Sequence, residues 1–80
     1  MINLDKQSRL DPSLVVRHAV AFFGEGGLGL AVQERTDNTV QFEGGGGSVA
    51  IAANAKNGGS DVTVLSQEWD FQAKQFLERI

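Results

Sequence analysis

Between residues 28 and 68 large apolar residues return at every second position. Leu28, Leu30 and Val32 alternate with Gly29, Ala31 and Gln33, and the same alternation holds for Val40 and Phe42, for Val49, Ile51 and Ala53, and for Val62 and Val64. A period of two marks strands with one buried face, so four strands are predicted at about 28–35, 39–43, 48–55 and 61–68. On either side the period changes to that of a helix. Val16, Ala19, Val20 and Phe23, widened by Val15 and Phe22, make one stripe; Trp69, Ala73, Phe76, Leu77 and Ile80 make another. These predict helices over about 12–23 and 70–80. Residues 1–9 are polar and unpatterned, and the expectation there is a flexible tail or a short edge extension.

The segment ends carry their own signals. Asp11 suits a helix N-cap, because its carboxylate can accept from free N–H groups of the first turn. Pro12 fits the first helical position, and Leu10 can pack against Val15 as a hydrophobic staple. Gly24 is expected as a left-handed stop. Asn57-Gly58 is a strong two-residue type I′ turn signal, and it sets Ala53 opposite Val62, Ile51 opposite Val64, and Val49 opposite Ser66. Centring a turn on Gly45-Gly46 sets Phe42 opposite Val49 and Val40 opposite Ile51. At the first reversal a two-residue Asp37-Asn38 turn would set Arg35 against Val40. A three-residue loop of Thr36, Asp37 and Asn38, with Asn38 left-handed, sets Val32 against Phe42 and Glu34 against Val40. Side-chain parity therefore selects the three-residue loop. The predicted fold is a single α+β domain over 1–80 with order α-β-β-β-β-α. It is a two-layer sandwich: a four-stranded antiparallel meander with both helices on one face. The opposite face, with rows Gln33–Gln41–Ala50–Leu65 and Arg35–Thr39–Ala52–Thr63, is small and polar, as a solvated sheet surface should be.

Composition narrows the functions. A chain of 80 residues buries only about 60–65% of its unfolded surface, and small domains are commonly reinforced by disulfides, metals or a partner subunit. No cysteine is present and there is one histidine. Disulfides, thiolate metal sites and a multi-histidine zinc site are thereby excluded within one chain, which leaves oligomerisation as reinforcement. The formal net charge is −3, with Lys6, Arg9, Arg17, Arg35, Lys56, Lys74 and Arg79 scattered, so no basic stripe for nucleic acid forms. No apolar run is long enough to span a membrane. Met1 to Leu10 does not read as a signal peptide, and a cytoplasmic location is the default expectation. No metal and no cofactor are expected.

Three features invite a chemical reading. Gly24-Glu25-Gly26-Gly27-Leu28-Gly29 matches G-x-G-x-x-G, but dinucleotide binding needs that motif between a strand and a helix, in that order. Here the order is helix then strand, and the stretch reads as a connection. The glycine-rich turn of Gly44, Gly45, Gly46 and Gly47 offers successive N–H groups for an anion nest. The competing reading, which is preferred, is a hairpin turn at Gly45-Gly46, with Gly44 and Gly47 facing inward beside Leu30 so that their missing side chains leave space for Trp69 or Phe23. Glu34, Ser66 and Glu68 fall on the inward face, where a carboxylate could serve as acid or base. Both glutamates lie on edge strands, where charge normally reaches water. His18 flanks the stripe of the first helix. No catalytic constellation appears, and the chain is not expected to be an enzyme.

The sheet from Leu28 to Glu68, running through Trp69 directly into a C-terminal helix, resembles a truncated helix-grip domain of the START and polyketide-cyclase-like superfamily. The resemblance covers about residues 28–80 and implies a curved sheet gripping a helix, with an apolar ligand cavity between them. The glycine-rich turn with its Glu68-Trp69-Asp70 exit is also similar to that of small bacterial domains and implies no function. Two readings follow. The first is a non-enzymatic association module, pairing with itself as a homodimer or with another protein through the flat Ala50–Ala52–Leu65 region. The alternative is a binder of a small apolar ligand between sheet and helices, near Phe23, Phe42, Trp69 and Phe76.

Overall fold

The computed structural model describes residues 1–80. Its elements are β1 (Ile2–Ser8), α1 (Pro12–Phe23), β2 (Ala31–Arg35), β3 (Thr39–Gly44), β4 (Gly47–Lys56), β5 (Gly59–Gln67) and α2 (Asp70–Arg79). The α+β class stands, with antiparallel strands and a single apolar core shared by the sheet and both helices. The sheet, however, has five strands in the order β1-β5-β4-β3-β2. The predicted meander is β2 to β5; the fifth strand is the segment expected as a flexible tail or a short edge extension, and it is a full seven-residue edge strand.

That correction has a physical cause. β1 pairs with β5 from Ile2↔Ser66 to Ser8↔Ser60 without interruption. Ile2, Leu4, Lys6 and Ser8 share the inward side of β1, so its apolar alternation breaks off after two residues. The two polar members have their own partners: Lys6 Nζ donates to the Leu77 carbonyl, and Ser8 Oγ donates to the Ile80 carbonyl at 2.8 Å. These acceptors lie at the end of α2, whose last carbonyls lack intrahelical partners. The Ser8 hydroxyl also accepts from the Leu10 N–H at 3.1 Å, and Ser60 donates to the Leu10 carbonyl at 2.6 Å. The chain is thus pinned as it leaves β1 for α1.

The two central hairpins have the expected register. Val40↔Ile51 and Phe42↔Val49 join β3 to β4, and Ile51↔Val64 and Ala53↔Val62 join β4 to β5. Their turns are left-handed at both central residues: Gly45 (φ 59°) with Gly46 (φ 82°), and Asn57 (φ 49°) with Gly58 (φ 82°). This is the twist that two-residue hairpins need.

The first hairpin differs. Val32 faces Phe42 as expected, but Glu34 faces Gln41 and Arg35 faces Val40. The turn is the tight one, closed by Thr36 N–H on the Thr39 carbonyl at 2.9 Å, and Asn38 is not left-handed. A bulge between Val32 and Glu34 absorbs the parity mismatch that a two-residue turn creates. It also moves Glu34 off the inward face. The Thr36 hydroxyl accepts from the Asn38 and Thr39 N–H groups, a local side-chain turn that favours the short loop. Leu28 and Leu30 precede the strand and lie in the connection from α1.

The core gathers Val15, Val16, Ala19 and Phe23 of α1, Ala73, Phe76 and Leu77 of α2, and the inward residues of β3, β4 and β5. Pro12 opens α1 as predicted, and Asp11 stands at the N-cap position, although its side chain makes no capping hydrogen bond. Gly24 closes α1 in an extended conformation (φ −78°, ψ −160°), not the expected left-handed one. The carbonyls at the end of α1 are instead covered by the following loop: Leu28 N–H reaches the Phe22 carbonyl at 3.0 Å, and Leu30 N–H the Phe23 carbonyl at 2.8 Å. Gly27 lies against the Phe22 and Ala21 carbonyls, where a Cβ would collide. The G-x-G-x-x-G stretch therefore wraps a helix C-terminus, the wrong pole for a phosphate.

Glu68 is exposed and left-handed (φ 72°) between β5 and α2. A non-glycine residue is strained there. Glu68→Gly is expected to stabilise the fold by about 0.5–1 kcal/mol, raising the melting temperature by a few degrees in a calorimetric scan.

Candidate functional site

The residues singled out for apolar ligand binding separate into two groups. Phe23, Phe42 and Phe76 are buried to within 1% exposure. Their rings pack on one another, with centroids 5.4 Å apart for Phe23–Phe42 and 5.6 Å for Phe23–Phe76. Phe22 extends the cluster at 4.9 Å from Phe23 and 5.9 Å from Phe76, and the Arg79 guanidinium stacks over Phe22 at 4.9 Å. These spacings are those of packed aromatic pairs. The rings fill the region between sheet and helices where a ligand would lie.

Trp69 is apart from this cluster. It is half-buried at the start of α2, and its Nε1–H donates to the Gly44 carbonyl at 2.9 Å. A Cβ on Gly45 would come within 2.7 Å of the indole ring. Gly47 is buried where a Cβ would strike the Gln67 carbonyl, and Gly44 lies against Leu30. The turn is therefore a seat for Trp69, but the indole lies on Gly45; the inward Gly44 and Gly47, expected to leave that space, meet Leu30 and the Gln67 carbonyl instead. On the other side of the same turn is an open depression of about 400 Å³ lined by Glu43, Gly44, Gly46, Gly47, Ser48 and Gln67, without an apolar side chain. The Glu43 carboxylate in this lining opposes an anion.

The remaining sequence-derived candidates are dispersed. Glu34 and Glu68 are exposed. Ser66 is buried with its hydroxyl unpartnered, opposite Val49 and Ile2. His18 is exposed beside a cleft of about 170 Å³ between the helices, lined also by Ala21, Phe22, Phe76, Arg79 and Ile80. That volume is below the ~300 Å³ typical of small-molecule sites. No group of three His, Asp or Glu side chains is placed to hold a metal ion.

The sheet face away from the helices has the composition expected for it. Its central rows run Gln41–Ala50–Leu65–Asn3 and Thr39–Ala52–Thr63–Asp5. Leu65 is 42% exposed. A shallow groove of about 190 Å³ runs along Thr39, Gln41, Ala50, Ala52, Thr63 and Leu65. Thr63 Oγ1 donates to Asp5 Oδ1 at 3.0 Å, fixing one rim. Sequence reasoning missed the contribution of β1 to this face and misplaced that of β2: the bulge sets Glu34, not Gln33, opposite Gln41, and Arg35 opposite Val40 instead of Thr39. The alternation Ile2-x-Leu4 is the one signal that could have placed Asn3 and Asp5 there.

No family model matches the chain, and no curated protein or solved structure is significantly similar to it.

The Trp69 seat makes a sharp comparison available. Gly45→Ala meets both the indole and a left-handed backbone, whereas Gly46→Ala meets only the backbone penalty, with open space around its Cβ. Gly46→Ala is expected to cost about 1 kcal/mol, and Gly45→Ala about 1–3 kcal/mol more. Only Gly45→Ala should shift Trp69 emission, read by fluorescence alongside denaturant unfolding.

Proposed function

We propose that this chain is a non-enzymatic association module, homodimeric, whose uncovered sheet face takes a second protein. The observation carrying this reading is the asymmetry of the sheet. One face is buried under α1 and α2 with its aromatic residues in mutual contact; the other presents Ala50, Ala52 and exposed Leu65 between short polar side chains. Small side chains let another layer approach to the ~10 Å spacing of packed sheets, and Leu65 is the apolar anchor at its centre. A small domain without disulfides gains stability from such a partner.

The ligand-binding alternative near Phe23, Phe42, Trp69 and Phe76 needs space that the Phe23, Phe42 and Phe76 rings occupy, and the apolar hollow of about 320 Å³ against Val20, Leu30 and Val32 lies away from those residues, so association is the better-supported reading. No side-chain constellation for catalysis stands beside it.

A photo-crosslinking residue at position 65 tests the contact. A discrete adduct with another protein is expected in cells, and Ala50→Lys should remove it while leaving the circular dichroism spectrum unchanged. Adduct yields no higher from position 65 than from exposed Asn54, or yields indifferent to Ala50→Lys, would overturn the reading.

A further inference from the structure

The charges of the chain are divided unevenly between the two sides of the sheet. Strand pairing puts one acid from each of four strands on the uncovered side. Asp5 of β1 stands opposite Thr63, Glu34 of β2 opposite Gln41, Glu43 of β3 opposite Ser48, and Asp61 of β5 opposite Asn54. Asp5, Glu34 and Glu43 are exposed, and Asp61 is half-buried. Alternation along β4 gives the same side one basic residue, Lys56, at the end of the strand. The whole chain has ten Asp and Glu against seven Lys and Arg. Setting aside the four acids and the one base of this face leaves six of each. The formal charge of −3 therefore resides on the uncovered face, and the rest of the molecule is balanced.

The bulge in β2 has a part in this. In an unbroken register Arg35 would lie on this face and Glu34 beneath the helices. The shift sets Glu34 beside Gln41 and Arg35 beside Val40, which exchanges a base for an acid on the uncovered side. The acids stand in two groups at opposite corners: Glu34 and Glu43 on β2 and β3, Asp5 and Asp61 on β1 and β5. By the spacing of strands and of alternate residues the corners are roughly 20 Å apart. Ala50, Ala52 and exposed Leu65 lie between them.

We propose that the partner seated on this face is a basic protein surface, in which Lys and Arg surround a small apolar contact. Its apolar centre meets Leu65 over the two alanines. The stems of its long basic side chains lie across the short side chains of the face, and their charged ends reach the two acidic corners. Charges at the rim of an interface set partner choice and the rate of encounter more than they add affinity. The same charge opposes two copies of this face, so a second copy of the chain is not its occupant. The inference rests on the association reading and deepens it, by naming the chemistry of the protein that the face takes.

Two charge-matched variants test it. Asp5→Asn, Glu34→Gln and Glu43→Gln together neutralise the face. Glu25→Gln, Asp37→Asn and Glu78→Gln together make the same change in net charge elsewhere. All six positions are exposed, and Asp5→Asn keeps an oxygen for the Thr63 hydroxyl, so circular dichroism should report an intact fold in both. The probe is a synthetic amphipathic peptide of leucine and lysine, titrated against the isotope-labelled chain at physiological ionic strength. The same peptide with glutamate for lysine is its control. The lysine peptide is expected to move the amide signals of Ala50, Ala52, Thr63 and Leu65. It should bind the face variant about tenfold more weakly and the other variant almost as well as the unaltered chain. Equal losses in both variants, equal binding of the glutamate peptide, or shifts centred on the helices would overturn the proposal. In cells, the proteins crosslinked from position 65 should be basic when identified by mass spectrometry, and their yield should fall in the face variant. An adduct that Ala50→Lys removes but the face variant leaves intact would keep the association reading and reject the basic partner; no adduct at all would remove both.

Discussion

The fold rests on a parity constraint imposed by two tight reversals. With both central residues left-handed at Gly45-Gly46 and at Asn57-Gly58, the β3–β4 and β4–β5 ladders have one register each. That register puts Val40, Phe42, Val49, Ile51, Ala53, Val62 and Val64 on a single side. Slipping either ladder by one residue would turn a strand's apolar set to water. Once the apolar side is fixed, both amphipathic helices have one surface large enough to cover. The opposite surface is left to Ala50, Ala52, Thr39, Thr63 and Leu65.

The covered side explains why association is preferred over ligand capture. Phe22, Phe23, Phe42 and Phe76 meet in a continuous ring cluster, and a chain this short has little further apolar volume to enclose a guest. The exit from β5 is equally committed to structure. Glu68 turns the chain through a left-handed residue, and Trp69 is then held on the glycine turn by its hydrogen bond to Gly44. The most conspicuous sequence feature thus serves as a docking platform for one indole. What remains unclaimed by the interior is the sheet's other face, its β1 edge and an apolar hollow of about 320 Å³ at Val20, Leu30 and Val32.

Much of this was legible because the relevant signals are local. Gly45-Gly46 and Asn57-Gly58 announce their turns, alternation announces β3, β4 and β5, and a spacing of three and four announces both helices. Four consecutive glycines signal a packing role, but parity pointed to the inward Gly44 and Gly47, whereas Trp69 lies on Gly45 at the tip of the turn. β1 was not legible, since half of its inward positions are Lys6 and Ser8. Their inward placement makes sense only when the carbonyls of Leu77 and Ile80 arrive from the far end of the chain. The bulge in β2 was hidden for a related reason: Gln33 carries no mark of being the unpaired residue, and parity alone favoured a longer loop. The left-handed stop expected at Gly24 failed because the next six residues, led by Gly27, fold back over the helix end.

The pairing of β1 with β5 joins the first strand to the last, and this has a consequence for the order of assembly. Bringing distant segments together carries a loop-closure cost that neighbouring hairpins escape, so the β3–β4–β5 hairpins are favoured to form first. During synthesis the amino-terminal strand leaves the ribosome long before its neighbour exists. It must wait, unpaired, until residues 59–67 emerge, and the anchoring of Lys6 and Ser8 must wait longer still. The last part of the fold to be completed is therefore its beginning.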